Sequence, residues 1–483
     1  MRARVQPLII AALTLFPPPA ASVQRQQGAA APVVSGPARA PDIPFETYTL
    51  PNGLTVTLSP DKSTPTVAVN VWYKVGSKDE QAGRTGFAHL FEHMMFTGSG
   101  NAPYGLHDKL TEGVGGMHNG TTNNSRTVYY ETVPSNYLES TLWLEADRMG
   151  SLLETLNIEK LNAQRDIVKN ERRERVDNQP YGRGREILIR AVYPATHPYS
   201  WPVIGSMDDL SAATVEDVKD FFRTYYAPSN AFLTVVGDFQ ALQAKSWISK
   251  YFGEIPKGAP ISRPVAEPVV LSTERRLVHE DRVAVPRLWL MWPTVGERHD
   301  DRFALNVLRA VLVGSRTARL TKALVYEEQS AATVTADQLT SEDVGEFAVR
   351  PTPRPGHSLT NLETAAEAVI ERLKREGPTA EEVAKAVAGV ELTFIRSLES
   401  NLEKSLRLAD GAGYHGDPGY FKTEYRKAIS VTPEDVKRVA NKYLSHGRVT
   451  LSIVPIGALD QAAKPDQSVR VTAYDVKETE GGK

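Results

Sequence analysis

The feature that most constrains the fold of this chain is an internal repeat. Residues 71–76 are matched by residues 291–296, in which Trp, Val and Gly recur 220 positions later. Residues 214–225 are matched by residues 432–443 at a spacing of 218 positions. Two matches in the same order and at nearly the same spacing indicate a duplicated unit, because chance agreement would not repeat itself in register.

The repeat divides the chain into two homologous halves, predicted at residues 45–255 and 276–460, with a Pro-rich linker at residues 256–275 and a polar tail at residues 461–483. In each half, segments of alternating polar and apolar residues come first and segments with helical periodicity follow. A Pro-Asn-Gly turn beginning at residue 51 is typical of a hairpin, so neighbouring strands are predicted to pair antiparallel. The sequence therefore predicts an α+β fold, in which each half is a mainly antiparallel sheet packed with helices.

The N-terminus has the organisation of a secretory signal peptide. Arg2 and Arg4 precede a nine-residue apolar run at residues 8–16, and small residues follow. Such a run is far shorter than the roughly 20 residues needed to span a bilayer, so no membrane span is predicted. We predict a signal peptide at residues 1–22 and a flexible Ala/Pro/Gln linker at residues 23–44. The mature protein is expected to be exported to a periplasm or, alternatively, secreted.

Composition excludes several classes of site and partner. The chain contains no cysteine, which rules out disulfides, Cys-ligated zinc and a thiol nucleophile. The formal net charge of −2 gives no long-range field that would attract nucleic acid or an anionic membrane surface. Neither is therefore expected as a partner.

One short motif carries metal chemistry. His89-Leu90-Phe91-Glu92-His93 lies in an apolar-flanked segment with helical periodicity. His89 and His93 are four positions apart, so both imidazoles project from one face of a helix and can bind one zinc ion. Glu92 can then act as general base towards a water molecule whose pKa the metal lowers to about 7. The motif is HxxEH, the inverted form of HExxH.

The alternative interpretation of this motif is a surface helix with two unrelated histidines. Only ten histidines occur in the chain, and an unliganded pair in an apolar stretch would cost desolvation. A metal site needs a third ligand, expected to be a carboxylate on a second element. The charged helix predicted at residues 157–176 offers Glu171 and Glu174. Helical spacing does not choose between them because both can lie on one face, and an ordinary solvated carboxylate is the alternative for either.

Several segments of the chain are similar to those of one peptidase family. They are HLFEH, the RDIVKNE segment that ends at Glu171, the GG-x-x-N-G-T-T segment and the duplicated half. The chain resembles the insulinase and pitrilysin family of zinc peptidases, called inverzincins, over nearly its whole mature length. The resemblance implies that Glu171 is the third zinc ligand, with one zinc ion per chain. The family's supporting acidic residue, seven positions earlier, is Gln164 here, which can hydrogen-bond but supplies no charge.

The resemblance also assigns a role to Asn119, Gly120 and Thr121. In the family the corresponding segment is an edge strand beside the zinc, where backbone pairing holds an extended peptide across the metal. Asn119 and Gly120 would lie nearest the scissile bond. Without the resemblance the segment would be interpreted as an ordinary turn into a strand, because Gly-Gly and Asn-Gly are common turn formers. The implied substrate is a peptide or an unfolded segment.

The second half lacks the metal-binding residues. A spacing of 220 positions places Arg309, Leu312 and Val313 where the first half has its HxxEH residues. Family members usually carry an Arg and, seven residues later, a Tyr in this half, but the corresponding positions are Val325 and Ala332. The chain therefore resembles the zinc subunit of the two-chain bacterial subfamily related to mitochondrial processing peptidase. There a homologous subunit supplies the Arg/Tyr pair, and two clam-like chains enclose a chamber. The expected assembly is such a heterodimer or, alternatively, a homo-oligomer.

The predicted function is that of a zinc metalloendopeptidase acting on peptides or unfolded segments. One alternative is a catalytically weak or inactive structural or assembly subunit of the same fold, and another is a zinc enzyme that acts on a different bond, such as a deacetylase. The intact HxxEH together with Glu171 argues against a scaffold. The edge-strand segment favours a peptide as the substrate.

Overall fold

The computed structural model describes residues 40–263 and 266–472. The predicted signal peptide at residues 1–22 lies outside the described residues, as does most of the predicted linker at residues 23–44. The described chain contains two six-stranded sheets, one in each half, and helices pack against both. The predicted α+β fold with two homologous, mainly antiparallel halves is confirmed.

The strands of the first sheet are β1 (Glu46–Thr49), β2 (Thr55–Pro60), β3 (Thr66–Tyr73), β4 (Met117–Thr122), β5 (Thr127–Pro134) and β6 (Ala231–Gly237). Their order across the sheet is β1-β2-β6-β3-β5-β4. β2 pairs with β6 in parallel, and the other neighbours pair antiparallel. Among the described strands, β4 therefore forms one edge of the sheet, with one side of its backbone free for pairing.

The strands of the second sheet are β7 (Arg275–Asp281), β8 (Arg287–Val295), β9 (Ala331–Thr340), β10 (Val344–Pro353), β11 (Val449–Pro455) and β12 (Val469–Arg470). Their order is β12-β7-β11-β8-β10-β9. β12 lies in the predicted polar tail, yet it pairs with β7, and the neighbouring Ala462 and Ala463 are buried in the second core. Residues 461–472 therefore belong to the second half, which corrects the predicted tail. A two-residue strand is too short to show an alternating pattern in the sequence.

The helices of the first half are α1 (Phe87–Met94), α2 (Leu106–Leu110), α3 (Leu138–Ser151), α4 (Ile158–Arg172), α5 (Gly184–Val192), α6 (Met207–Ala212), α7 (Val215–Tyr225) and α8 (Ala241–Phe252). Those of the second half are α9 (Asp301–Val313), α10 (Leu359–Glu376), α11 (Ala380–Arg396), α12 (Asn401–His415), α13 (Phe421–Ile429) and α14 (Pro433–Tyr443). Counted between corresponding strands, α1 matches α9, and α3 to α7 match α10 to α14. None of these described helices is both long and apolar enough to cross a membrane.

The repeated Thr-x-x-Asp sequence starts the same helix in each half. Thr214 precedes α7 and Thr432 precedes α14, each with a complete capping box. The threonine hydroxyl accepts a hydrogen bond from the amide of Asp217 or Asp435, and that aspartate accepts one from the threonine amide. The local sequence therefore fixes where both helices begin.

Each half contributes one helix to the sheet of the other half. α5 of the first half packs on the second sheet, where Ile187 lies in a buried cluster with Met291. α12 of the second half packs on β3 and β6 of the first sheet, where Trp72 contacts Ala409 and its indole Nε1 donates to Asp410 Oδ1 at 3.0 Å. This exchange means that each half completes the hydrophobic core of the other.

The two tryptophans that mark the repeat have different surroundings. Trp72 faces α12 of the other half, whereas Trp292 lies in the core of its own half and donates to the Ser445 carbonyl oxygen at 2.8 Å. Successive residues of a strand point to opposite faces of the sheet, so equal spacing in the sequence keeps a side chain on the same face only when both strands have the same register. Spacing in the sequence therefore identifies the repeat but not the direction of each side chain.

Replacing glycine by alanine is predicted to change the free energy of unfolding in opposite directions at two helical positions, one of which lies in the close contact of α12 with the first sheet. A Cβ at Gly413 in α12 would lie 2.5 Å from a ring carbon of Trp72, whereas a Cβ at Gly389 in α11 would meet no atom of residues 40–263 or 266–472 within 4 Å. We expect Gly413→Ala to lower the free energy of unfolding by about 1–3 kcal/mol through overpacking. We expect Gly389→Ala to raise it by about 0.5–1 kcal/mol, because alanine loses less backbone entropy in a helix. Urea unfolding measures both, and equal shifts would contradict the tight contact.

Candidate active site

α1 directs His89 and His93 away from the core because its other side is apolar. The residues of that apolar side are buried in the first half: Phe87, Leu90, Phe91 and Met94. The helix begins after Gly86, whose φ of 89° is left-handed and whose added Cβ would lie 2.9 Å from Gly205 Cα. The buried Glu80 carboxylate accepts hydrogen bonds from the amides of Gly86 and Ala88 at 2.9 and 2.8 Å. These two hydrogen bonds satisfy amides that have no partner within the first turn of the helix, so Glu80 fixes the start of α1.

α4 carries Glu171, and the next residue anchors the helix against the start of α1. Arg172 is fully buried, and its guanidinium donates to Glu186 Oε2 and to the Gly205 carbonyl oxygen, both at 2.8 Å. Gly205 lies directly against Gly86, since a Cβ on Gly205 would be 2.4 Å from Gly86 Cα. The buried arginine therefore holds Glu171 at a fixed position relative to the histidines of α1.

The two imidazoles and the Glu171 carboxylate converge on one point. His89 Nε2 is 3.6 Å and His93 Nε2 is 3.3 Å from Glu171 Oε2, and one candidate ligand atom from each residue lies within 4.8 Å of the others. Tetrahedral zinc with bonds of about 2.0–2.1 Å would place its ligand atoms about 3.3–3.4 Å apart. The other oxygen of Glu171, Oε1, lies 2.7 Å from Arg175 Nη1. The three side chains therefore match the spacing of one metal ion.

Burial sets the protonation of both histidines. It lowers the pKa of His89 to about 3 and lowers the pKa of His93 as well, although the Glu171 carboxylate opposes the second shift. Both imidazoles are therefore neutral near pH 7, and neutral imidazole is the form that binds metals.

Glu92 lies beside the three converging side chains and contacts the edge strand. Its Oε2 accepts a hydrogen bond from the Thr122 hydroxyl at 2.5 Å. Burial raises the pKa of Glu92, and the nearby Glu171 charge acts in the same direction, while the hydrogen bond from Thr122 lowers it. A partly desolvated carboxylate held in one orientation fits a general base. Thr122 was not singled out from the sequence, because a threonine near a strand end carries no signal of its own.

The segment predicted to bind substrate forms the edge strand β4. Asn119 is exposed and its Oδ1 accepts a hydrogen bond from the Gly120 amide at 2.8 Å, while the Arg126 guanidinium donates to the Thr121 hydroxyl at 2.8 Å. Gly120 is buried against the candidate base, since a Cβ there would lie 2.9 Å from Glu92 Cγ. The structure therefore brings a free strand edge next to the converging histidines.

Two other predicted positions on α4 and its extension lie outside the cluster. Glu174 lies in the short π-helical turn after α4 and is exposed, so of the two candidate ligands Glu171 alone meets the histidines. Gln164 is half-buried two helical turns before Glu171. Within the described chain, no residue forms a hydrogen bond with the side-chain amide of Gln164. Its predicted supporting role remains a prediction.

A second group of metal-binding residue types lies in the core of the first half. His107, Glu131 and Glu145 are buried, and one atom from each lies within 4.8 Å of the others. The fully buried Arg148 donates to Glu145 Oε2 at 2.9 Å and to Glu131 Oε1 at 3.0 Å. Arg148 therefore bonds both carboxyl groups, and burial together with Glu145 raises the pKa of Glu131 well above its usual range. We interpret the group as an internal cluster organised by the arginine.

The positions of the second half that were predicted to lack catalytic groups lie in its core, in a π-helical turn and on β9. Leu312 is buried in the core, Val325 lies in a π-helical turn and Ala332 lies on β9. The nearby Arg319 is bonded through Nε and Nη2 to both carboxylate oxygens of Glu382 on α11, at 2.8 and 2.7 Å. Arg319 is therefore committed to α11 and does not replace the donors that Val325 and Ala332 lack.

The packing of Gly120 against Glu92 predicts a specific loss of activity. In Gly120→Ala the new methyl group would displace the Glu92 side chain, and a catalytic group shifted by about 1 Å costs about 100-fold in rate. We expect kcat to fall by about 10- to 100-fold with the metal content unchanged. Gly113→Ala is the matched control, since its Cβ would meet only the Asp108 carbonyl oxygen, at 3.7 Å. Steady-state kinetics on a peptide test this, and equal activity of the two variants would contradict it.

Comparison with known families matches both parts of the chain. The profile of the insulinase family (peptidase family M16) matches residues 55–198, which contain the HxxEH motif and Glu171. The profile described as the peptidase M16 inactive domain matches residues 212–390.

Two relatives from Helicobacter pylori are similar over nearly their whole length, and a third is similar over about half of its length. The zinc protease PqqE of Helicobacter pylori is 30% identical over 410 residues, which cover 84% of this chain and 91% of that protein. A crystal structure of a protease from Helicobacter pylori superposes with a TM-score of 0.79 at 29% identity, covering 85% of this chain and all of the other. A probable mitochondrial-processing peptidase subunit beta of Arabidopsis thaliana is 24% identical over 271 residues, which cover 55% of this chain and 49% of that protein.

Proposed function

Because the chain belongs to the insulinase family, peptidase family M16, we propose that it is a zinc metalloendopeptidase that hydrolyses peptides or unfolded segments. The observation that carries the proposal is the convergence of His89, His93 and Glu171 beside the half-buried carboxylate of Glu92. Relatives named zinc proteases support both the metal and the reaction class.

The donor set fits zinc, and we propose one ion per chain. Two neutral imidazoles and one carboxylate are a ligand set of catalytic zinc sites, in which the fourth position stays open. When bound, zinc supplies a Lewis acid that polarises the scissile carbonyl and lowers the pKa of water. Glu92 lies on α1 with the two histidines, and β4 contacts the same helix, so both are placed to act on water and substrate at such a site.

The residues of the chain then have separate tasks. Glu92 accepts the proton of the attacking water and returns it to the leaving amine, and Thr122 keeps its carboxylate in one orientation. The free backbone of β4 holds the substrate extended by strand addition, with Asn119, Gly120 and Thr121 facing the peptide. Such pairing requires an extended partner strand, which is why peptides and unfolded segments are the proposed substrates.

A second candidate function is a catalytically weak or inactive structural subunit of the same fold. It is favoured by Val325 and Ala332, which offer no donors to stabilise a developing oxyanion. The match to the inactive-domain profile does not decide the matter, since residues 212–390 contain neither the HxxEH motif nor Glu171. The zinc-binding set in the first half favours the peptidase.

The missing donors lead to a proposal about assembly. We propose that a homologous subunit supplies the Arg/Tyr pair in a heterodimer, and a relative named as the beta subunit of a processing peptidase supports such a partnership. The purified chain should be assayed alone and together with a homologous chain from the same genome that lacks HxxEH. Stimulation by the second chain is expected, and full activity of the first chain alone would exclude the requirement.

The reaction class is tested with an internally quenched peptide and the purified protein. We expect hydrolysis of an internal peptide bond that stops after chelation and returns when zinc is added. Hydrolysis that resists chelation would reject the metal mechanism. Release of acetate from an acetyl-lysine peptide without cleavage of the chain would favour the deacetylase alternative.

The proposal includes export to the periplasm, with secretion as the alternative, and this part rests on the N-terminal sequence alone. N-terminal sequencing of the protein recovered from the periplasmic fraction tests it. A mature chain that still begins at Met1 would reject the signal peptide at residues 1–22.

A further inference from the structure

The second half keeps a cleft at the place that corresponds to the candidate metal centre. α9 contacts α11 in the second half as α1 contacts α4 in the first half, and the two pairs correspond in chain order. Arg309 occupies the position of the repeat that is equivalent to His89, and it lines a cavity of about 580 Å³ between α9, α11 and α13. Small-molecule sites have volumes of about 300–1,000 Å³, so the cavity is large enough for an organic ligand.

One part of the cavity wall is apolar. It carries small and aromatic side chains from α9 and α11, namely Phe303, Ala310, Val311, Ala386, Val390 and Phe394. Apolar surface of this kind favours a ligand with a hydrocarbon chain, because burying that chain removes apolar area from water.

The charged side chains at the cavity leave a surplus of positive charge. The Glu382 carboxylate is bonded by Arg319, and the Glu424 carboxylate is bonded by Arg407 at 2.9 Å. Arg309 is half-buried, and no residue in the described part of the chain pairs with its guanidinium. Lys385 lines the same cavity and donates to the Thr317 hydroxyl at 2.6 Å. That hydroxyl is neutral, so this contact does not compensate the positive charge of Lys385.

We propose that this cavity binds a carboxylate carried on an apolar chain, with a medium-chain fatty acid as the ligand class. The carboxylate pairs with the Arg309 guanidinium, whose fork of donors matches two carboxylate oxygens. The hydrocarbon chain covers the apolar wall formed by α9 and α11. A neutral amphiphile of the same length keeps the contact with the apolar wall and loses the pairing with Arg309. The proposal does not depend on peptidase activity.

Isothermal titration of the purified full chain with decanoate, and with decanol as the neutral control, tests the proposal. We expect saturable binding of decanoate with a dissociation constant below about 1 mM, and at least about tenfold weaker binding of decanol because the charge-assisted pair is missing. Arg309→Leu should weaken decanoate by about tenfold and leave decanol unchanged. Arg309→Lys should recover only part of that loss, because the ammonium keeps the charge but not the fork of donors. Failure of decanoate to bind, or equal binding of the two ligands, would overturn the proposal.

A second variant locates the site independently of charge. Gly389 lies on the cavity wall, and a Cβ there meets no atom of the described residues within 4 Å, so we expect the side chain of Gly389→Phe to occupy part of the cavity. We expect Gly389→Phe to abolish binding of both ligands while the circular dichroism spectrum and the unfolding midpoint are retained. Undiminished decanoate binding by the folded variant would place the ligand elsewhere and reject this cavity.

Discussion

We expect Glu92→Gln to lower kcat on a quenched peptide by about 10³-fold while zinc stays bound, because the amide cannot accept the proton of the attacking water. Glutamine has the size of glutamate and can still accept the hydrogen bond from the Thr122 hydroxyl. The side chain therefore keeps its place while its basicity is lost. KM should change little, since the substrate is held by the backbone of β4.

The matched control for this variant is Glu112→Gln, which removes the same charge from an exposed side chain in the short 3-10 helix before β4. We expect its kcat to remain within about twofold of the unmodified protein, since exposed charges contribute little. Zinc content by mass spectrometry accompanies the kinetics. Turnover retained in Glu92→Gln would remove Glu92 from its role, and loss of zinc in that variant would make its effect structural.

The second large effect is expected from Glu171→Gln, which should reduce zinc affinity by at least about 100-fold, since even changes to groups that merely support a ligand cost 10- to 100-fold. The neutral amide is a poor zinc ligand, and the site would keep only His89 and His93. Activity should fall in proportion to zinc occupancy. Excess zinc should restore part of it, which distinguishes a ligand from a general base.

Glu174→Gln is the control, because it makes the same change three positions later on an exposed side chain. We expect its zinc content and kcat to match those of the unmodified protein. If Glu174→Gln lost zinc while Glu171→Gln kept it, the assignment of the third ligand would be reversed. If neither variant lost zinc, the carboxylate ligand would be a different residue.

The sequence determined the features that depend on local spacing. The repeat predicted two homologous halves, and the structure has two sheets with corresponding helices. The Thr-x-x-Asp sequences set the starts of α7 and α14, because a capping box is made by residues three positions apart. HxxEH predicted two imidazoles on one face of α1 for the same reason, since four residues complete about one helical turn.

The sequence did not determine how the halves share their cores. α5 and α12 each pack on the sheet of the other half, and nothing in a helical pattern states which sheet the apolar face will meet. The repeat makes Trp72 and Trp292 equivalent in the sequence, yet their side chains lie on opposite faces of their sheets. The direction of these side chains could therefore not be predicted from spacing. The two-residue strand β12 was missed because it has no periodicity of its own.

In the candidate site, too, some positions were predictable from helical spacing and others depend on tertiary packing. Within α1, the sequence alone placed His89, Glu92 and His93 near one another, because the hydrogen bonds of one helix set their separation. Helical spacing left Glu171 and Glu174 equally open, and the family resemblance favoured Glu171. The tertiary structure brings Glu171 to the histidines and leaves Glu174 exposed, because the buried Arg172 ties the end of α4 to Gly205 beside the start of α1. That contact joins residues far apart in the chain, so only the packed fold could decide it.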